Sequence, residues 1–265
     1  MIPIGDSPVA RRTPWVNYAI ILVNIGVFIY VLTLSPQLPP TQEEAIAKYI
    51  DMRDGVCYGF DARPTDVDEF YCRWSFQPRE WFDNLEGQSQ VGSPRNWDVL
   101  LTIITSMFLH AGWLHIAGNM LFLWVFGDNV EDRLGHVPYL LFYLTAGVVA
   151  SLIQGVMDVN SLIPVVGASG AVAGILGAYL VWFPGATVVA VVPILFFLPL
   201  PVPAFIMIGL WFIQNLAAGY MTIATAQTPD AGVAWFAHIG GFLFGFGMVL
   251  LFLRGLGRPP PRWRQ

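Results

Sequence analysis

A serine and a histidine lie in two separate apolar stretches of this chain, and their side chains could do chemistry together. Ser169 stands among glycines and alanines in residues 166–174, where a long apolar segment begins. His238 lies in a second apolar segment, where an ionisable side chain costs a few kcal/mol unless it is paired or functional. A serine hydroxyl becomes a good nucleophile when a base takes its proton, and neutral imidazole suits that task near pH 7. The pair therefore indicates nucleophilic catalysis inside a bilayer.

Both residues also have a purely structural interpretation. Ser169 could be a small residue at a helix interface, and His238 could be a hydrogen-bonded packing residue or part of a proton pathway. The position of Ser169 favours a catalytic over a structural interpretation. It is predicted in the first turn of a helix, where free backbone N–H groups and the helix dipole favour a developing anion. The nearby glycines are predicted to let the two helices press together: Gly167, Gly170, Gly174, Gly241 and Gly245.

A third cluster contains His115 and Asn119, which are spaced i and i+4 and so project from one helix face. Both side chains can donate hydrogen bonds to a common point. A metal site is the competing interpretation, but the chain has no His-Glu-x-x-His motif, no third ligand beside the pair, and its two cysteines lie in a distant loop. We therefore expect neither a metal nor an organic cofactor.

Composition indicates an integral membrane protein. Apolar residues make up 55% of the 265 residues and charged residues only 12%, against about 25% charged in a soluble domain. Several apolar runs approach the ~20 residues that cross a bilayer. The predicted spans are 15–34, 111–127, 137–157, 167–184, 202–219 and 232–253. A net charge of -5, with scattered arginines, gives no basic stripe for nucleic acid.

Arginines flank both ends of the membrane region, and Lys and Arg near span ends favour the cytoplasmic side. They are Arg11, Arg12, Arg254, Arg258, Arg262 and Arg264. Both termini are therefore predicted to be cytoplasmic, which requires an even number of spans. Residues 186–200 are apolar, but closely spaced prolines break a helix, so this stretch is interpreted as a cytoplasmic-side or re-entrant connection. Six spans also bring all four candidate polar residues near the extracytoplasmic face.

The predicted organisation follows from these spans. It comprises a cytoplasmic segment 1–14, a first transmembrane helix 15–34, an extracytoplasmic loop 35–97, a membrane core 98–253 and a cytoplasmic Arg/Pro-rich tail 254–265. The first helix could instead be a cleaved signal peptide, because two arginines precede its apolar run. That run is longer than the usual apolar region of a signal peptide, and residues 35–40 lack a small-x-small cleavage pattern.

The loop 35–97 contains most of the acidic residues and both cysteines. Long loops cross the membrane largely regardless of charge, so the loop is compatible with an outward position. Disulfides persist on that side, and a Cys57–Cys72 bridge is predicted in preference to two free thiols. The loop is otherwise interpreted as solvated decoration that could contact substrate.

Three motifs on different predicted spans resemble those of the rhomboid intramembrane serine proteases. They are Gly167-x-Ser169-Gly170, Ala237-His238-x-x-Gly241-x-x-x-Gly245 and His115-x-x-x-Asn119, and the resemblance covers roughly residues 95–250. It implies that Ser169 is the nucleophile and His238 the general base of a dyad. It also implies an oxyanion hole formed by His115, Asn119 and the backbone N–H of Ser169.

A further stretch, Gly127-x-x-x-Glu131 followed by Arg133 and Gly135, looks like the family's junction after the second span. Its simpler interpretation is a helix end with local charge pairing. Two other places depart from some family members. Ala173 stands where certain bacterial rhomboids have an aromatic ring against the catalytic imidazole, and Leu101-Thr102 replaces a Trp-Arg pair in the first loop.

The sequence thus predicts an all-α membrane protein, a six-transmembrane-helix rhomboid-like bundle with a long extracytoplasmic first loop. It predicts a serine endopeptidase in the plasma (inner) membrane, surrounded by the lipid bilayer, that cleaves transmembrane protein substrates near the extracytoplasmic end of their span. Two alternatives are a non-catalytic rhomboid-like binding protein and a small transporter. The first would be expected to lose Ser169 or His238, and the second to carry intramembrane carboxylates.

Overall fold

The computed structural model describes residues 1–34, 65–87, 97–192, 198–225 and 233–253. In chain order the elements are β1 (Ile2–Asp6), α1 (Trp15–Thr33), α2 (Asp66–Trp74), α3 (Pro78–Glu86), α4 (Trp97–Thr105), α5 (Trp113–Phe122), α6 (Asp128–Leu134), α7 (His136–Met157), α8 (Ser169–Trp182), β2 (Thr187–Val192), β3 (Leu198–Pro203), α9 (Ala204–Thr225) and α10 (Trp235–Met248). A 3₁₀ turn, Ser106–Phe108, follows α4, and π-helical turns occupy Leu123–Gly127 and Val249–Leu253. The predicted tail 254–265 lies outside these residues.

Several helices in the described residues are long and apolar enough to cross a bilayer. Among the described residues there are four: α1, α7, α9 and α10 extended to Phe252. A bent pair, Trp97–Phe108 with Trp113–Leu134, turns by 80° and can count as a fifth span. α8 is shorter, and its 14 residues extend about 21 Å at 1.5 Å per residue. The protein is therefore a multi-pass membrane protein with four to five candidate spans, and the six-span count stays a prediction.

α8 lies at the centre of the bundle, where every residue from Gly170 to Tyr179 is buried. It packs between α7 and α10, and glycines set the distance to α10. A Cβ added to Gly241 would lie 2.0 Å from the carbonyl oxygen of Gly170, and one added to Gly245 would lie 1.9 Å from that of Gly174. A side chain at either α10 position would therefore separate the two backbones.

A three-stranded antiparallel sheet, which the all-α prediction missed, closes one end of the bundle in the order β1-β2-β3. Val191 pairs with Pro199 and Val189 with Pro201. The prolines of β3 alternate, so their missing N–H groups all lie on the strand's open edge, where a proline disrupts no ladder bond. Residues 186–200 were predicted to be a non-helical connection between two spans. Their described part is indeed not helical, but it forms strands β2 and β3 of the sheet.

The N-terminal segment belongs to the same sheet. β1 pairs with β2 in a register that sets Ile2 opposite Val191 and Asp6 opposite Val188. The Asp6 carboxylate also accepts a hydrogen bond from the Tyr179 hydroxyl near the end of α8. The N-terminal segment and the connection between α8 and α9 therefore lie on the same side of the bundle.

Residues 65–87 of the first loop pack on the opposite end, against the entry to α8. The backbone N–H of Val165 donates to the carbonyl oxygen of Phe76 (2.8 Å), and the N–H of Arg79 donates to that of Ser161 (3.1 Å). Phe76 is fully buried. This part of the loop is therefore structural, and its interpretation as solvated decoration was wrong. Cys72 is buried here, whereas Cys57 lies outside the described residues, so their bridge stays a prediction.

Glu80 of α3 is a buried acid whose Oε1 finds no hydrogen-bond partner in the described chain. Burial raises the pKa of Glu80 to about 9 from 4.5, so the folded protein keeps the group neutral while the unfolded chain ionises it. The folded state thus holds the proton more tightly, and the free energy of unfolding falls as pH rises from about 4.5 towards 9.

Glu80→Gln is therefore expected to raise the melting temperature at pH 8 by several degrees, because the amide has no ionisation to suppress. The gain should shrink towards pH 4, where the wild-type carboxyl is protonated in the folded state and mostly protonated in the unfolded state, whose pKa is about 4.5. Thermal unfolding in detergent at both pH values measures it. Glu86→Gln, at the exposed end of the same helix, is the control and should change neither value. An equal gain at the two pH values would contradict the assignment.

Candidate active site

Ser169 is the first residue of α8, and the turn before it is fixed by a glycine. Gly167 has a φ of 120°, a conformation that residues with a side chain rarely adopt. Its N–H donates to the carbonyl oxygen of Ser106 at 2.9 Å. No side chain caps the start of α8, so the partial positive charge of this helix end is not offset by a capping oxygen.

One cavity of about 790 Å³ brings together the four residues on which the sequence analysis centred. Ser169, His238, His115 and Asn119 all line it, although they come from α8, α10 and α5. Its other lining residues are mainly apolar and include Trp113, Phe122, Val172 and Trp211. Ser169 and His238 are each partly exposed, so both can be reached from the cavity. The arrangement provides a hydroxyl, two imidazoles and an amide around one space.

His115 is held against the turn that precedes α8. A Cβ added to Gly167 would lie 2.6 Å from His115 Nε2 and 3.7 Å from Ser169 Oγ. The glycine therefore makes room for the imidazole beside the serine. Its predicted role in helix packing was wrong, because it stands before α8 and contacts a side chain of the site.

Asn119 has one amide N–H already in use. Its Nδ2 donates to the carbonyl oxygen of His115 at 2.9 Å, one helical turn earlier, and the residue is buried apart from its contact with the cavity. A primary amide carries two N–H donors. The bond to the helix backbone thus fixes the side chain and leaves its second donor for a group in the cavity.

His110, which was assigned no role from the sequence, packs behind His115 at the cavity. Its ring packs edge to face on that of His115, with centroids 5.0 Å apart. Its carbonyl oxygen accepts a hydrogen bond from the Tyr71 hydroxyl at 2.8 Å. The first loop is thereby tied to the cavity through α2. The signal available in the sequence was the His-x-x-x-x-His spacing of His110 and His115.

His238 is contacted from α9 by two residues that the sequence analysis missed. Its Nδ1 lies 2.7 Å from Asn215 Oδ1, and its ring centroid lies 5.8 Å from that of Trp211 at an interplanar angle of 36°. Trp235 meets the imidazole edge to face at 6.1 Å. An asparagine within an apolar span could have been singled out, since a polar group there calls for a partner.

The junction after α5 serves the N-terminal helix. Glu131 accepts hydrogen bonds from the backbone N–H groups of Val16 (3.1 Å) and Asn17 (2.7 Å), and so caps the start of α1. Arg133 places its guanidinium over the Trp182 ring at 5.1 Å. The simpler interpretation of local charge pairing therefore missed this capping role.

Within the residues described, no group of three His, Cys, Asp or Glu side chains could hold a metal ion.

Several curated proteins are similar to this chain. RHOMBOID-like protein 6, mitochondrial, of Arabidopsis thaliana is 27% identical over 98% of this chain and 74% of its own length. RHOMBOID-like protein 2 of the same plant is 30% identical over 90% of this chain and 67% of its own. Rhomboid protease GluP of Bacillus subtilis is 44% identical over 29% of this chain and 15% of its own. Since similar proteins include mitochondrial and chloroplastic ones, the comparisons do not support the predicted plasma-membrane location.

A protein-family model also matches this chain. The model of the Rhomboid domain matches residues 98–255, from α4 to beyond α10, and so includes every residue that lines the cavity. The match covers more than half of the chain. The chain therefore belongs to the rhomboid family.

Proposed function

We propose that this protein is an intramembrane serine endopeptidase in which Ser169 is the nucleophile and His238 the general base. The observation that carries the proposal is the single cavity lined by both residues together with His115 and Asn119. Family membership supports it, since the relatives include a protein named as a rhomboid protease. A binding protein would have no need of a hydroxyl, a base and two donors around one space.

The proposed reaction has two stages. Ser169 Oγ attacks the carbonyl carbon of the substrate peptide while His238 accepts the hydroxyl proton, and the tetrahedral intermediate carries its negative charge on the former carbonyl oxygen. His238 then gives the proton to the departing amine, which leaves an acyl ester on Ser169. Water from the cavity hydrolyses the ester with His238 again as the base. Hydrogen bonds from His115, Asn119 and the Ser169 backbone would stabilise the oxyanion.

The substrate class follows from the setting of the cavity. Polar groups within a bilayer need a water-accessible cavity or protein partners, and the protein segments available there are transmembrane helices. A substrate helix must unwind locally for its carbonyl carbon to reach Ser169, because in an intact helix that carbonyl is hydrogen-bonded to the backbone. We therefore propose transmembrane proteins as substrates.

The sheet supports a six-span topology for this bundle. β1 and β2 are paired, so an even number of crossings must separate them. α1, the bent pair ending in α6, α7 and α8 supply four if α8 counts as a span, and α9 and α10 make six. Arg11 and Arg12 lie on the sheet side, which the positive-inside rule favours as cytoplasmic. Ser169 begins α8 at the other end and would face the extracytoplasmic side.

A serine-directed fluorophosphonate probe tests the proposed activity. We expect the probe to label Ser169 in wild-type protein and labelling to disappear in Ser169→Ala, because only an activated hydroxyl reacts readily with it. Ser151→Ala, which removes a buried serine of α7, is the matched control and should label like wild type. Folded wild-type protein that takes up no probe would favour the non-catalytic binding protein, and labelling that survives Ser169→Ala would overturn the choice of nucleophile.

The topology predicts where a substrate is cut. Cleavage of a single-span substrate should fall near the extracytoplasmic end of its membrane segment, after residues that are small. Glycine weakens a helix by about 1 kcal/mol relative to alanine and so helps it to unwind. Mass spectrometry of the product termini locates the bond. A cut at the cytoplasmic boundary would show that the span count, and with it the orientation of Ser169, is wrong.

A further inference from the structure

Asn215 is a buried amide in the predominantly apolar helix α9, and it is 3% exposed. Its Oδ1 lies 2.7 Å from His238 Nδ1, and its Nδ2 donates to the carbonyl oxygen of Trp211 at 2.7 Å. The residue is absent from the cavity lining, so it contacts the imidazole from behind. Both ends of the amide are therefore engaged.

The hydrogen bond to the Trp211 carbonyl distinguishes the oxygen from the nitrogen of the Asn215 amide. A backbone carbonyl can only accept a hydrogen bond, so the end of the Asn215 side chain that meets it must be the NH₂ group. The other end, which faces His238, must then be the oxygen. An amide oxygen also only accepts, and the proton of the neutral imidazole is therefore on Nδ1.

That tautomer is the one that a base opposite Ser169 requires. With the proton on Nδ1, the lone pair is on Nε2, at the far side of the ring from Asn215. Trp211 lies one helical turn before Asn215, on the same face of α9, and its ring packs on the imidazole. Two residues of one helix thus hold both the rotation and the tautomer of His238. Ala173, with only a methyl group, cannot restrain the ring in this way.

We propose that Asn215 is the positioning residue for His238, which makes the Ser169–His238 pair a neutral counterpart of a catalytic triad. This inference rests on the proposed function. A carboxylate in a triad both orients the imidazole and stabilises its cation, whereas the Asn215 amide supplies orientation and a dipole without a net charge. The arrangement also avoids an ionised group within the bilayer, where it would be costly.

Activity measurements should separate positioning from binding. Asn215→Leu is expected to lower kcat for a transmembrane substrate, and the rate of fluorophosphonate labelling, by about tenfold, the equivalent of one lost hydrogen bond. KM should stay unchanged because Asn215 does not line the cavity. Gln214→Leu alters the neighbouring residue, which is exposed on α9, and is expected to leave both constants at wild-type values.

Nitrogen NMR of the histidine side chains reads the tautomer directly and needs no activity. In ¹⁵N-histidine-labelled wild-type protein, the signal assigned by its absence in His238→Ala should show a protonated Nδ1 and an unprotonated Nε2. Asn215→Leu should give a mixture of tautomers, and Gln214→Leu the wild-type pattern. A wild-type His238 with its proton on Nε2 would overturn the proposal, even if Asn215→Leu failed to fold.

The two proposals can fail separately. If wild-type protein reacts with the probe and Asn215→Leu reacts equally fast, the positioning role is wrong and the protease assignment stands. If wild-type protein is folded but does not react, the protease assignment is wrong, and the NMR experiment still reports on the hydrogen bond.

Discussion

Asn119→Ala is expected to lower kcat for cleavage of a transmembrane substrate by about 10²–10³-fold, the usual cost of losing one oxyanion donor. The Asn119 amide is held in place by its bond to the His115 carbonyl, which leaves a second donor towards the cavity. That donor would act on charge that develops only in the transition state, so kcat should fall much more than KM rises. Steady-state kinetics in detergent or liposomes measures both constants.

The chain contains a matched control for this substitution. Asn24 of α1 is also buried and also donates from Nδ2 to the carbonyl four residues earlier, that of Ile20, at 2.8 Å. Asn24→Ala removes the same kind of bond, worth about 1 kcal/mol, at a residue outside the cavity lining. The two variants should lose comparable stability, and only Asn119→Ala should lose turnover. Equal losses of turnover would show that Asn119 is structural.

Gly245→Ala is expected to destabilise the folded bundle by about 3 kcal/mol or more, at or above the upper end of the range for overpacked cores. The added methyl group would lie 1.9 Å from the Gly174 carbonyl oxygen. A side chain could rotate away from such a clash, whereas a carbonyl within a helix cannot, so α8 and α10 must move apart. Because Ser169 begins α8 and His238 belongs to α10, probe labelling should be lost with stability.

Gly247→Ala gives the comparison on the same helix. A Cβ added there meets no atom within 4 Å, so its melting temperature in detergent should equal or exceed that of wild type. Gly245→Ala should melt well below both proteins. Similar melting temperatures for the two variants would mean that the backbones of α8 and α10 are not in close contact at Gly174.

The residues of the candidate site could be predicted where a reactive side-chain type stands at an informative position in the sequence. Ser169 at a helix start, His238 in an apolar span and the His115–Asn119 pair are rare enough in membrane segments to stand out. The structure brings all four to one cavity. Asn215 was missed because its partner lies on a different helix. A single asparagine indicates that a partner exists, but only the packing of α9 against α10 identifies that partner as His238.

The sheet was less accessible to sequence reasoning. β1 and β2 are short, and their pairing joins residues more than 180 positions apart, so no local pattern connects them. The prolines of β3 argued correctly against a helix, yet alternating prolines are also compatible with an edge strand. Gly167 was grouped with the packing glycines on composition alone. Its positive φ and its contact with His115 appear only once the turn before α8 is built.

The pairing of β1 with β2 has a consequence for biosynthesis. At about 5–20 residues per second, a ribosome needs roughly ten to forty seconds to make the chain that separates Asp6 from Val188. Throughout that time β1 has no partner strand, and an unpaired edge is open to pairing with other chains. Tyr179, whose hydroxyl donates a hydrogen bond to the Asp6 carboxylate, is also synthesised late. The sheet can therefore close only after α8 has been synthesised, so the first strand of this protein is among the last elements to reach its final place.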